Sequence, residues 1–115
     1  MQIRRGSIDK KYLVLLQALA HANEDQRVAL LKEAGKKLIN CICECALNVL
    51  KGVVTLKHQQ KNKLKKFKNI LRKLSSKTKN KNSWKRKKNV IVQKGGGFLP
   101  ILLEPVLTEL LAAVL

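Results

Sequence analysis

KKLINCICECALNVLK, residues 36–51, carries a broad apolar face at helical spacing. Its Leu, Ile, Cys, Ala and Val residues recur three or four positions apart, which places them on one side of an α-helix. Lys51 suits the negative end of a helix dipole, and Gly52 is the residue type that most often follows a helix. The stretch therefore predicts a helix whose apolar side must be covered by other segments.

Two further helices are predicted on the amino-terminal side of this stretch. Ser7 can cap the first, in which apolar residues again recur at helical spacing. Asn23 starts the second, because Gln26 completes a capping box and the two residues between Asn23 and Gln26 are acidic. Gly35 either ends this helix or lies within a longer one. Residues 1–54 are therefore predicted to form a small N-terminal helical module.

A narrow apolar stripe follows a short connector in which Thr55 can cap the next helix. The stripe consists of Leu64, Phe67, Leu71 and Leu74. Its 3-4-3 spacing, with Lys and Arg around the remaining circumference, predicts an amphipathic basic helix that begins near Lys57 and docks by a thin edge. Residues 75–88, SSKTKNKNSWKRKK, predict a flexible Lys-rich segment, because they hold too little apolar surface to offset the entropy of ordering. Residues 90–92, Val-Ile-Val, are prone to β-structure.

Positive charge is concentrated in residues 57–94, which hold 14 Lys and 2 Arg and no acidic residue, within a chain of 115 residues with formal net charge +18. Because a merely solvated surface mixes both signs, this segregation predicts a polyanionic partner. Lys lacks the guanidinium fork that reads guanine edges, so the run should contact phosphates of double-stranded DNA and not its sequence. The predicted nucleic-acid-binding residues are Lys57, Lys61, Lys63, Lys65, Lys66, Lys68, Arg72, Lys73, Lys77, Lys79, Lys81, Trp84, Lys85, Arg86, Lys87, Lys88 and Lys94.

Trp84, the only Trp of the chain, lies among these charges and allows two interpretations. Its ring can stack on a base or wedge into a groove, or it can anchor the segment on a protein surface. Residues 84–88, WKRKK, also match the pattern of a nuclear localisation signal.

Cys41, Cys43 and Cys45 form a CxCxC pattern within the predicted helix of residues 36–51. On a helix Cys41 and Cys45 share one side and Cys43 points away, and the spacing matches no common zinc module. Buried, reduced thiols are therefore predicted, in a chain that shows no signal-peptide pattern. No metal site, cofactor or enzymatic activity is expected, because no catalytic or phosphate-loop motif is present.

Gly95, Gly96 and Gly97 separate the basic run from FLPILLEPVLTELLAAVL, residues 98–115. This block has no Lys or Arg, and its two Glu and two Pro disfavour a membrane span. Attachment to a membrane surface, docking on a capsid or other partner protein, and self-association remain open as its role. The predicted attachment residues are Phe98, Leu99, Ile101, Leu102, Leu103, Val106, Leu107, Leu110 and Leu111.

Three strings carry a resemblance to a known family: NCICECALNVLKG at 40–52, KKFKNILRKL at 65–74 and VQKGGGFLP at 92–100. Together they resemble the small basic core proteins of Maverick/Polinton-type viral elements, the adintoviruses. The carboxyl-terminal part is also similar to the precursor of the adenovirus minor core protein X, or mu, which has a basic stretch before GGFLP and a hydrophobic tail. The matching residues are Gly96, Gly97, Phe98, Leu99, Pro100 and Pro105. The resemblance implies a DNA-condensing core protein of the virion, active in the host nucleus.

The sequence thus predicts an all-α protein in three parts. Residues 1–54 form the helical module, 55–94 the basic DNA-binding helix and tail, and 95–115 a glycine hinge with a hydrophobic helix for attachment. The predicted function is sequence-nonspecific binding and condensation of DNA by phosphate neutralisation, in a viral core or virus-derived mobile element. The alternative is a membrane-active cationic virion protein that binds anionic membranes.

Overall fold

The computed structural model describes residues 10–76, 83–94 and 97–114, and within these ranges it is helical and contains no strand. Its helices are α1 (Lys10–His21), α2 (Glu24–Glu33), α3 (Lys36–Leu50), α4 (His58–Lys65), α5 (Lys68–Ser75), α6 (Ser83–Gln93) and α7 (Leu99–Val114). The predicted all-α class is confirmed. The predicted cap at Ser7 lies outside the described residues.

α3 lies at the centre of the bundle and contacts α1, α5, α6 and α7. Ile39, Ile42, Cys45 and Ala46 have no exposed surface. Because neighbours cover α3 on more than one side, Cys43 is buried although it points away from Cys45. Burial of each large apolar side chain contributes about 1.5–3 kcal/mol to the stability of the fold. The apolar face of α3 is therefore a major source of that stability.

The start of α2 shows the predicted capping box. The Asn23 Oδ1 atom accepts from the Gln26 N–H at 2.8 Å, and the Gln26 Oε1 atom accepts from the Asn23 N–H at 3.2 Å. Gly35 lies outside α2 and caps the start of α3, while Gly52 has the left-handed φ of 74° expected after a helix. These local predictions are confirmed because each depends on residues within one turn.

Arg27 contributes an unpredicted link between α1 and α2. Its side chain is buried, and its guanidinium donates from Nη2 to the Ala22 carbonyl at 2.7 Å and from Nε to the Leu19 carbonyl at 3.3 Å. These carbonyls lie at the end of α1, where no further turn supplies donors. The positive charge also complements the negative end of the α1 dipole.

The basic helix predicted from Lys57 is divided into α4 and α5, which are separated at Lys66 and Phe67. Lys57, and not the predicted Thr55, caps α4, where its N–H donates to the Gln60 Oε1 atom at 2.9 Å. Leu64, Leu71 and Leu74 are buried, and Phe67 lies half-buried with its ring centroid 5.9 Å from that of Phe98. Docking through the apolar stripe is therefore confirmed, whereas the single continuous helix is not.

α6 corrects two predictions, the flexible segment at its beginning and the β-prone run at 90–92. Trp84, Lys88, Ile91 and Val92 follow helical spacing, and their apolar members pack on the core, with Ile91 fully buried. Packing thus overrides the weak β-preference of three residues. Residues 77–82, the other part of the predicted flexible segment, lie outside the described residues.

α7 corrects the prediction that the apolar block is a separate attachment tail. Phe98, Leu99, Leu102, Leu103 and Val106 have no exposed surface, and α7 packs on α1, α3 and α4. Leu107 and Leu110 are also buried and Ile101 is half-buried, while the side chain of Leu111 lies outside the described part. The physical reason is that α1 and α3 present apolar surface that the most hydrophobic segment of the chain covers.

The proline and glutamate residues that disfavoured a membrane span are compatible with the packing of α7 on the core. Pro105 is buried inside α7, which continues through it. Glu104 is exposed, and the Glu109 carboxylate accepts a hydrogen bond from the Thr55 N–H at 2.8 Å. Of the predicted hinge, Gly95 and Gly96 lie outside the described residues. α6 before it and α7 after it both contact α3, so the orientations of these two helices are fixed by a common neighbour.

Candidate nucleic-acid interface

The exposed cations of α4 and α5 form the largest part of the candidate interface, here named the α4–α5 cationic face. It consists of Lys57, Lys61, Lys63, Lys65, Lys66, Lys68, Arg72 and Lys73, all of them exposed. The buried stripe of Leu64, Leu71 and Leu74 fixes the orientation of both helices against the core. Because the apolar edge is turned inward, the cationic side chains project into solvent, where they can reach a phosphate backbone.

The basic run of α6 is divided by the packing of that helix. Lys85 and Arg86 are exposed, whereas Lys87 and Lys88 are half-buried. The Lys87 ammonium donates to the Ser76 carbonyl at 2.7 Å. The Lys88 ammonium donates to the carbonyls of Lys32 and Ala34, each at 2.8 Å.

These bonds show that not every cation of the WKRKK run is free to contact DNA. Two of its four cations bind the carboxyl-terminal ends of α5 and α2, where helices have unpaired carbonyls and a negative dipole end. Lys88 is therefore assigned a structural role in holding α6 on α2. The sequence held a signal for this, since Lys88 falls on the same helical face as Trp84 and Ile91.

Trp84 packs against the core and is half-buried, with the Lys85 ammonium 5.9 Å from its ring centroid. This contact agrees with the interpretation of Trp84 as an anchor on a protein surface. The surface is the core of the same chain and not that of a partner. The half-buried ring is a poorer platform for base stacking than a fully exposed one. Of the remaining predicted residues, Lys94 is exposed, and Lys77, Lys79 and Lys81 lie outside the described part of the chain.

Among the residues whose exposure is described, four exposed cations were not predicted as binding residues, because they precede the acid-free run. They are Lys32, Lys36, Lys37 and Lys51. Glu33 is exposed between Lys32 and Lys36, so this part of the surface carries both signs. The α4–α5 cationic face contains no carboxylate in its own sequence, which makes it the better interface for a polyanion.

The cysteines are buried, as predicted. Burial raises the pKa of the Cys43 thiol to about 11, an effect that nearby Lys87 partly opposes. Burial also raises the pKa of Cys45, which has no exposed surface. Both thiols are therefore protonated at neutral pH, the form that neither attacks electrophiles nor binds metals well. Among the described residues, no group of three or more His, Cys, Asp or Glu is placed to hold a metal ion.

No helix within the described ranges has the length and apolar character needed to cross a membrane. Comparison of the chain with models of protein families, with curated proteins and with solved structures gives no match. The resemblance to adintovirus and adenovirus core proteins therefore stays a prediction from the quoted strings.

Proposed function

We propose that this chain binds double-stranded DNA without sequence preference and condenses it, as a core protein of a virus or virus-derived element. One observation carries the proposal: eight exposed cations share the α4–α5 cationic face, whose two helices are fixed to the core by a buried apolar stripe. Seven of the eight are Lys, which supplies a point charge for phosphate but no fork for base edges. The mechanism is the release of counterions from DNA when Lys and Arg neutralise its phosphates.

The size of the molecule supports condensation. Duplex DNA carries one negative charge per about 1.7 Å, so 18 charges correspond to about 31 Å, or roughly nine base pairs. The formal net charge is +18, and the longest dimension of the Cα framework is 32 Å. A chain lying along DNA thus carries enough charge to neutralise the length that it covers. Chains bound side by side would remove the repulsion that keeps duplex segments apart.

The alternative of a membrane-active protein receives less support. It required a hydrophobic tail that inserts at a lipid surface, yet Phe98, Leu102 and Leu103 have no exposed surface. Exposure of these side chains would open the contacts of α7 with α1 and α3. The inserted side chains would regain an apolar environment in lipid, but the apolar surfaces of α1 and α3 would be left exposed to water, at a cost of about 25 cal/mol for each Å².

Two variants with equal charge test the proposal. The face variant changes Lys61, Lys63, Lys65 and Lys68 to Gln, and the control changes Lys32, Lys36, Lys37 and Lys51 to Gln; all eight side chains are exposed. We expect the face variant to make the slope of log K against log salt shallower by about 3 to 4, since each phosphate contact contributes about 0.9. The control should change the slope by less than about 1. Equal changes in both variants would show that binding follows net charge and not this face.

A further inference from the structure

A cavity of about 260 Å³ lies between the carboxyl-terminal end of α5 and the first turns of α6. Three cationic side chains line it: Lys73 from α5, and Arg86 and Lys87 from α6. Ser76 and Ser83 also line it. The concave shape and the hydroxyl groups distinguish this place from the α4–α5 cationic face, with which it shares Lys73.

The helical spacing of α6 explains how these groups meet. Ser83, Arg86, Lys87 and Val90 follow the i, i+3, i+4, i+7 pattern and so share one face, which is turned toward the end of α5. On the other wall, Leu74 is fully buried in the core. The Lys87 ammonium donates to the Ser76 carbonyl at 2.7 Å and so joins the two walls. The cationic groups are therefore carried by helices that the core holds in place.

The charges around the cavity favour an anion. None of the seven described residues that line it is acidic. A neighbouring cavity of about 480 Å³ shares Lys87, Ser76 and Ser83, but Glu44 lines it as well. Carboxylate repulsion makes that neighbour the poorer place for an anion. Arg86 is exposed and offers a planar fork that matches two phosphate oxygens, while Lys73 and Lys87 add point charges.

We propose that the α5–α6 cavity binds one phosphate group, with Arg86 as its forked ligand and Lys73 and Lys87 beside it. The group is either a phosphate of the DNA backbone or free inorganic phosphate, which present the same oxygens. If the group is a DNA phosphate, the inference rests on the proposed function. It then adds one defined phosphate position to an interface that is otherwise diffuse. Backbone contacts of this kind fix the register of a protein on a duplex.

The test is a titration of the full chain with inorganic phosphate at constant ionic strength, followed by the amide NMR signals of Ser76, Ser83 and Lys87. We expect saturable shifts at these positions. Arg86→Gln should weaken phosphate binding about tenfold, because it removes a charge-assisted pair of hydrogen bonds. Lys85→Gln is the matched control, since Lys85 is exposed on the same helix, carries the same charge and does not line the cavity. It should change the affinity less than about twofold.

Shifts that do not saturate, or equal weakening by both variants, would overturn the phosphate position and leave only diffuse attraction. A parallel titration with a short duplex identifies the source of the group. If Arg86→Gln weakens duplex binding more than Lys85→Gln, the cavity holds a backbone phosphate; if the two variants differ only with inorganic phosphate, it holds the free ion. Duplex binding without a phosphate position would contradict this inference alone, whereas phosphate binding without duplex binding would contradict the proposed function.

Discussion

Lys85 and Lys88 lie three residues apart on α6, and the geometry of that helix gives them different roles. Lys85 is exposed, and its ammonium lies near the ring of Trp84. Lys88 is half-buried and donates to two carbonyls at the end of α2. A count of charges in the sequence treats both as DNA-binding groups. Only their positions on the helix show that one of them holds the fold together.

Removal of the Lys88 ammonium is therefore expected to destabilise the protein. Lys88→Met keeps the aliphatic stem but leaves the carbonyls of Lys32 and Ala34 without this donor, which should lower the free energy of unfolding by about 1 kcal/mol or more. Lys85→Met removes the same charge from an exposed position and should change it by less than about 0.5 kcal/mol. Urea denaturation of the two variants measures the difference. Equal stabilities would contradict the structural role of Lys88.

Cys43 gives a prediction about alkaline pH. Burial raises the pKa of its thiol from an ordinary 9.0 to about 11, with Lys87 opposing the shift. The folded state therefore retains a proton that the unfolded state releases, so the stabilising contribution is complete below pH 9 and is lost as the pH rises toward 11. Cys43→Ala lacks this thiol but keeps every other titrating group.

The measurement is the difference in unfolding free energy between wild type and Cys43→Ala, taken by urea denaturation at pH 8 and pH 10.5. We expect the wild type to lose stability relative to the variant over this interval. Because the lysines are common to both proteins, their deprotonation largely cancels from the difference. A difference that stays constant with pH would mean that the folded state does not disfavour the Cys43 thiolate.

At the scale of the helices, α7 makes the largest change to the expected organisation. Its apolar residues cover α1 and α3, so the segment that the sequence assigned to attachment is part of the core. The basic helices depend on it as well, since α4 contacts α7 and the rings of Phe67 and Phe98 lie close together. The α4–α5 cationic face is therefore supported from behind by α7.

Truncation of a buried side chain of α7 should destabilise the whole protein. Leu102→Ala is expected to lower the free energy of unfolding by about 2–5 kcal/mol, the range for a fully buried Leu. Glu104→Ala, at an exposed position of the same helix, serves as the control and should change it by less than about 0.5 kcal/mol. Thermal or urea denaturation would follow both. A Leu102→Ala protein of unchanged stability would return α7 to the role of a separate tail.

The helices predicted correctly from the sequence are those whose signals are local. The capping box of Asn23 and Gln26, the turn at Gly52 and the stripe of Leu64, Leu71 and Leu74 each depend on residues a few positions apart. α6 was not predicted, because its order comes from contacts of Trp84 and Ile91 with helices distant in sequence. α7 was predicted as a helix, but its packing on the core was not, since an apolar block does not reveal whether lipid, a partner or its own chain covers it.

At the scale of the whole molecule, cations that are close in sequence lie exposed on neighbouring helices and form one cationic surface. The acid-free run indicated the candidate interface, and the α4–α5 cationic face lies within it. The sequence could not identify the carbonyls that Lys87 and Lys88 bind, because these belong to residues remote from their own turn of α6. Nor could it show the α5–α6 cavity, which forms only when two helices meet.

The most direct test of the central claim is the salt dependence of binding to two duplexes of equal length and unrelated sequence. If the eight exposed cations of the α4–α5 cationic face each neutralise one phosphate, log K should fall against log salt with a slope of about −7. The two duplexes should bind with affinities within a few-fold of each other, because phosphate contacts carry no sequence information. A slope shallower than about −2, or a strong preference for one duplex, would contradict the account.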